Sequence, residues 1–204
     1  MNRDHRQFFE RAAPHWNDAV GEKTTSTLTR IIQAANIQIG DRILDIGTGT
    51  GILLPMLRQA VGEKHKIIAL DLAFNMVRRA YRRFGHLCNC VQGDAHLLPL
   101  KNCSFDKVMC FSSFPHFTDR TRALTEISRC LKSRGRVIIG HSAGRDAVNR
   151  VHREIGGAVE GDTLPEEKKM LVLMTKAGFV DVSILEEDDI YLVLGMKRDA
   201  DSPS

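Results

Sequence analysis

Asp45 stands two residues ahead of Gly47, and Gly47, Gly49 and Gly51 alternate with Thr48 and Thr50 directly after the apolar run Arg42 to Ile46. An acid beside a glycine turn suits the gripping of a nucleoside cofactor that carries positive charge. Glycine reaches positive φ at little cost, and a missing Cβ lets a ligand lie against the backbone. Acids recur further on. Asp71 closes IIALD 24 residues after Gly47, where a carboxylate can hold two ribose hydroxyls, and Asp94 stands in VQGDA, where it or a neighbouring N–H can meet an adenine edge. Asp94 reads equally as a helix N-cap. The glycines alone also read as a plain strand-to-helix connection.

Spacing and charge choose between cofactors. A dinucleotide fingerprint is G-x-G-x-x-G, with pyrophosphate on a helix N-terminus; here the glycines run G-x-G-x-G, and Ile52 takes the third dinucleotide position. A carboxylate at Asp45 repels a pyrophosphate and attracts the ammonium and sulfonium of S-adenosylmethionine. S-adenosylmethionine, with S-adenosylhomocysteine as its product, is the cofactor expected.

The elements that must position these residues follow from the apolar pattern. Ile43 to Ile46, Ile67 to Leu70, Cys90 to Gln92, Lys107 to Phe111 and Val137 to Gly140 read as strands with amphipathic stretches between them, and a helix starts at Ile52. This is the alternation of an open sheet covered on both faces. Val180 to Leu185 and Ile190 to Met196, separated by Glu186 to Asp189, read as an antiparallel hairpin at one sheet edge. The fold expected is α/β, a doubly wound, Rossmann-like, mostly parallel seven-stranded sheet with a C-terminal antiparallel hairpin. Ligands of such sheets bind beyond the carboxyl ends of the strands, so site residues belong just after strands.

A chain of 204 residues with 43% apolar and 26% charged residues fits one soluble domain, here 1–198 with a helical lid over 1–36 and a polar tail over 199–204. No run approaches the roughly 18 apolar residues of a membrane span, and the N-terminus lacks a signal-peptide core, so a cytoplasmic location is expected. Cys88, Cys90, Cys103, Cys110 and Cys130 form no C-x-x-C pair and read as reduced, mostly buried thiols. The net charge is +4, and Arg78, Arg79, Arg82 and Arg83 form a helix stripe that reads as a solvated face, with docking of RNA or an acidic partner as the competing reading. No nucleic-acid partner is expected, and the oligomeric state is open.

LDIGTGTG, IIALDLAFNMVRRA, VQGDAHLLPL and FDKVMCFSSFPHFTDRTRALTEISRCLKSRGRVII, with FFERAAPHWN ahead of them, resemble class I S-adenosylmethionine-dependent methyltransferases, especially the ubiquinone and menaquinone biosynthesis group. The resemblance covers nearly the whole chain. It departs at Lys132-Ser133-Arg134-Gly135, where the family more often has Lys-Pro-Gly-Gly. It implies that Asp45, Gly47, Thr48, Gly49 and Gly51 hold the methionine part, Asp71 the ribose, and Asp94 with Ala95 the adenine. Leu72 and Met76 would pack on the purine, although Met76 also reads as a core helix residue. Phe111 and Ser112 would lie beside the transferable methyl group.

Methyl transfer by in-line displacement needs alignment, and a base only where the acceptor must lose a proton. His116 in SSFPHF and His141 in VIIGHS follow strands and are the candidate bases. If a helix begins near His141, then His141, Arg145, Asn149 and His152 share one face, which either meets solvent or lines an acceptor pocket. Trp16, with Phe8 and Phe9, would close that pocket or merely cap the core. A metal held by His116, His141 and His152 is the minor alternative, and none is expected, since no acidic or cysteine ligand stands at a defined spacing from them. The leading reading is methylation of a small-molecule acceptor; an RNA or protein methyltransferase and a non-catalytic cofactor-binding module are the alternatives.

Overall fold

The structure is a computed structural model that describes residues 3–16, 22–63 and 66–199. The polar tail beyond 199 and part of the expected lid, 17–21, lie outside the described residues. Seven strands form one sheet: β1 (Ile43–Ile46), β2 (Ile67–Asp71), β3 (Asn89–Gln92), β4 (Phe105–Phe111), β5 (Leu131–His141), β6 (Phe179–Glu187) and β7 (Ile190–Lys197). Their order is β3-β2-β1-β4-β5-β7-β6, parallel except for β7, which runs antiparallel to both neighbours. The expected α/β architecture is therefore present. β1 is buried at every position, as a central parallel strand covered on both faces must be. The chain turns to β2 on one side of β1 and later to β4 on the other, so the switch point lies between β1 and β4.

The helices are α1 (Arg3–Ala12), α2 (Glu22–Ala35), α3 (Leu54–Val61), α4 (Phe74–Phe84), α5 (Arg120–Cys130), α6 (Arg145–Ile155) and α7 (Glu167–Lys176). Two apolar layers flank the sheet. Leu28, Ile31, Leu54 and Leu57 of α2 and α3 pack with Ile43 and Ile138 on one side, and Leu124, Ile127, Met170 and Met174 of α5 and α7 pack with Val108, Val137 and Val193 on the other. Each fully buried side chain of this size contributes about 1.5–3 kcal/mol of transfer free energy.

Several boundaries differ from expectation, three of them at turns. α3 starts at Leu54, two residues late, with Pro55 in the first turn, where its missing N–H costs nothing. β5 starts at Leu131 and runs through the expected Lys132 to Gly135 turn as a bulged strand, in which Arg134 adopts φ 59°. The hairpin turn shortens to Asp188 and Asp189 because Glu187 pairs with Ile190. α2 clasps that turn through Arg30, whose guanidinium donates to Glu187 at 2.6 Å and to Asp189 at 3.1 Å.

α1 packs on α4 and on the short 3-10 turn Gly157–Val159. Its Glu10 carboxylate accepts the N–H groups of Phe74 and Asn75, each at 2.7 Å. Ala73, the N-cap of α4, offers no side-chain acceptor, so the cap is supplied from another helix. No helix among the described residues is long and apolar enough to cross a membrane.

Candidate active site

A cavity of about 260 Å³ opens at the carboxyl ends of β1, β2 and β4, beneath α1. Its floor is the turn after β1. Gly47 and Thr48 donate their N–H groups to the Leu70 carbonyl at 2.8 and 3.0 Å, and Gly49 donates to Asp71 Oδ2 at 2.8 Å, so the end of β2 shapes the loop. Ser113 Oγ donates to the Ile46 carbonyl at 2.8 Å and joins the end of β4 to the end of β1 across the switch point.

All three glycines have positive φ, yet they are small for different reasons. A Cβ on Gly47 would sit 2.3 Å from Ser113 Cβ, and one on Gly51 would meet Leu54 and Phe84 at 2.8 and 2.9 Å. Gly51 does not line the cavity; its smallness serves helix packing. Gly47 and Gly49 both line the cavity, and at Gly49 Trp16 Nε1 stands 3.3 Å from where its Cβ would be. Of the three, Gly49 is the one where the missing Cβ leaves space on the cavity side, beneath Trp16.

Asp45 is buried and lines the cavity, and its Oδ2 has no hydrogen-bond partner. Burial pushes its carboxyl up to about 7, helped by the charge of Asp71; the Thr48 hydroxyl opposes this, although it makes no hydrogen bond. Burial likewise pushes Asp71 up to about 6, against the N–H groups of Ala73 and Gly49, which favour its charged form. Two acids held in reserve of their charge fit a cationic ligand, which restores to Asp45 what desolvation removes. Leu72, Met76, Asp94, Ala95 and Phe111 also line the cavity. The Asp94 carboxylate accepts the His96 N–H at 2.9 Å and pairs with His96 Nδ1, an arrangement that closes a local turn.

At the other end the wall consists of His5, Phe9, Trp16, His116 and Phe117. Phe9 meets the rings of His116 and Trp16 edge-on, at 4.8 and 5.6 Å. His116 Nδ1 donates to Asp162 Oδ2 at 2.6 Å, and burial lowers its pKa more than Asp162 raises it, so the imidazole is neutral.

The remaining acceptor-side candidates are elsewhere. His141 ends β5 opposite Tyr191 instead of opening a helix; it is buried outside the cavity, its Nε2 lacks a partner, and burial pushes it down to about 3. It is a neutral core imidazole. Arg145 pairs with Asp146 at 3.0 Å and Glu186 at 3.5 Å. Asn149 spends its side chain on the Leu164 backbone, accepting at 2.7 Å and donating at 3.1 Å, and His152 Nδ1 donates to the Asp162 carbonyl at 2.8 Å. None of these four lines the cavity. Asn149 and His152 on the polar face of α6 thus hold the loop that carries Asp162, while the half-buried Arg145 pairs with acids outside it. Sequence reading missed Asp162 and His5, which are 157 residues apart and joined at 2.8 Å. The signal was the α6 face itself, whose buried polar groups demanded a partner. The cysteines are free, but only Cys110 and Cys130 are buried, fewer than expected.

Comparison with known proteins agrees with this geometry. Residues 44–139 match a methyltransferase domain family. The chain is 36% identical over 101 residues to a demethylmenaquinone methyltransferase of Thermotoga maritima, covering 48% of this chain and 42% of that one. It is 30% identical over 159 residues to 27-O-demethylrifamycin SV methyltransferase of Amycolatopsis mediterranei, covering 71% and 58%. The matches span about half the length of these curated relatives. A solved S-adenosylmethionine-dependent methyltransferase of Aquifex aeolicus shares the fold, with a TM-score of 0.73 at 20% identity over 92% of this chain and 97% of that one. Residues 44–139 thus match a methyltransferase domain, and the chain is similar in sequence to the ubiquinone and menaquinone methyltransferase group and in fold to class I S-adenosylmethionine-dependent methyltransferases.

Proposed function

We propose that this protein transfers the methyl group of S-adenosylmethionine to a small-molecule acceptor bound between the glycine turn and His116. The observation that carries this reading is the unpartnered, buried carboxylate oxygen of Asp45 in a cavity that also holds Asp71. When bound, S-adenosylmethionine supplies an electrophilic methyl carbon and a neutral thioether leaving group. Asp45, Gly47, Thr48 and Gly49 would hold the methionine end, Asp71 the ribose, and Leu72, Met76, Asp94 and Ala95 the adenine, with Phe111 beside the methyl group.

The acceptor side supports a small molecule. α1 covers it, and Phe9, Trp16 and Phe117 give it an apolar wall that excludes water and leaves His116 as a polar contact. The neutral His116 imidazole is the form able to take a proton or to bind a cation. The arginines of α4 stand outside this cavity.

Calorimetric titration with S-adenosylmethionine, S-adenosylhomocysteine and NAD tests the reading. Binding of the first two and not of NAD is expected. NAD binding alone, or no binding at all, rejects it.

A further inference from the structure

Asp162 lies between two imidazoles from distant parts of the chain. His5 Nε2, on α1, reaches its two carboxylate oxygens at 3.0 and 2.8 Å, and His116 Nδ1, after β4, reaches Oδ2 at 2.6 Å. The three donor atoms all lie within 4.8 Å of one another. His5 and Asp162 are buried, and His5 and His116 form part of the cavity wall.

We propose that His5, His116 and Asp162 bind a divalent first-row transition cation at the acceptor end of the cavity, where it receives an oxygen atom of the acceptor. Two imidazoles and one carboxylate are a ligand set for zinc, iron(II), manganese or cobalt that leaves coordination positions open. Without a cation the imidazoles satisfy the buried carboxylate by hydrogen bonds; a cation would use the lone pairs of all three groups at once.

The support around the set is that of a built site. Asn149 holds the Leu164 backbone at both its N–H and its carbonyl, His152 holds the Asp162 carbonyl, and Arg120 holds the Thr163 carbonyl. Three side chains from α5 and α6 therefore fix three consecutive residues, and the carboxylate they present is the one facing His5 and His116. Outer contacts of this kind orient metal ligands. His5 rides on α1, so the set is complete only while α1 lies over the cavity, with its Glu10 on the start of α4.

The acceptor's role in this inference rests on the methyl-transfer reading; cation binding does not. The test is titration of the chelator-stripped full-length chain with Zn²⁺ by calorimetry and with Co²⁺ by visible absorption. Wild type, Asp162→Asn, His116→Gln and His5→Gln are compared with a Cys88→Ser/Cys90→Ser control, because those two thiols lie 3.6 Å apart and are the competing soft ligands. One cation per chain is expected, with affinity weakened more than about tenfold in each of the three single variants and unchanged in the cysteine control. Cation uptake that is absent, that survives all three substitutions, or that disappears with the cysteine pair overturns the proposal; absence would leave Asp162 as a residue that orients His116. Should Asp162→Asn fail to fold, His5→Gln on the covering helix decides alone. S-adenosylhomocysteine titration of the same samples separates the two readings: if wild type binds the cation but not this ligand, methyl transfer falls and the cation site stands.

Discussion

Asp45 and Asp162 are both buried aspartates, and they are opposites. Asp45 has a carboxylate oxygen without a partner and a carboxyl pushed up to about 7, whereas Asp162 accepts from two imidazoles that hold its carboxyl below the usual range despite burial. The cofactor end of the cavity leaves its charge unanswered by the protein, and the acceptor end answers its own. A site that must take up a cationic cofactor from water benefits from the first arrangement, because the ligand supplies the missing partner. A site that must hold its side chains in one geometry benefits from the second.

The largest effect expected from breaking this contrast is at Asp45. Asp45→Asn keeps the shape and removes the charge, and S-adenosylmethionine affinity at pH 8 should fall more than about a hundredfold, about 3 kcal/mol. The fold should respond in the other direction. Asp45 has a folded pKa of about 7 against an ordinary carboxylate value near 3.8, so the folded chain holds an extra proton between these values and loses stability as pH rises through them. The Asn variant escapes that loss. Its melting temperature should exceed that of wild type above pH 7, and the difference should vanish near pH 4. A variant that binds cofactor normally would remove Asp45 from the site.

Asp162→Asn is the matching change at the other end, and it should destabilise. One imidazole loses a charge-assisted hydrogen bond and the Asn amide turns a donor toward the other, at a cost of about 2 kcal/mol. Thermal melts in chelator should show this as a drop of several degrees, with cofactor affinity changed less than tenfold. Equal losses in cofactor binding at both aspartates would mean that the two ends act as one site.

The two ends also differed in how far the sequence revealed them. The cradle is local: Asp45, Gly47 and Gly49 lie within one turn, and Asp71 ends the next strand, so spacing and residue type suffice. The parallel order and the C-terminal hairpin were legible for the same reason, since apolar periodicity is a local property. The acceptor end assembles His5, His116 and Asp162 across 157 residues, and no spacing rule reaches that far. His141 shows that a strand end does not by itself mark a crevice: the last residue of β5 still pairs with Tyr191 and is buried. The polar groups of α6 call for partners, and sequence alone does not tell a ligand from the chain itself; Asn149 and His152 find theirs in the loop at 162–164.

A sharper test of the cradle uses pH alone. The deprotonated form of Asp45 is the one that binds a cation, so affinity for S-adenosylmethionine should fall by up to about tenfold per pH unit below 7, about 1.4 kcal/mol per unit. Asp71, at about 6, should steepen the fall below pH 6. In Asp45→Asn the part between pH 7 and 6 should disappear. A wild-type profile flat across that range would show that the carboxylate does not meet the ligand's charge.

The smallest effect concerns the helix that joins the two ends. Glu10 accepts two N–H groups at the start of α4, and Glu10→Ala leaves both without that acceptor, at about 1 kcal/mol, the usual value of an N-cap. For a chain of this length that amounts to a few degrees in melting temperature. The informative quantity is how this loss is shared. α4 begins three residues after Asp71, so a loosened start can reach the ribose end, and α1 carries His5, so a loosened α1 can reach Asp162. If the cofactor end is set by β1 and β2 alone, Glu10→Ala should leave S-adenosylhomocysteine affinity unchanged while weakening Co²⁺ uptake a few-fold through His5. A fall in the first with no change in the second would reverse the assignment: α1 would then belong to the cofactor cradle, and the loop clamped by α5 and α6 would hold Asp162 and His116 in place without it.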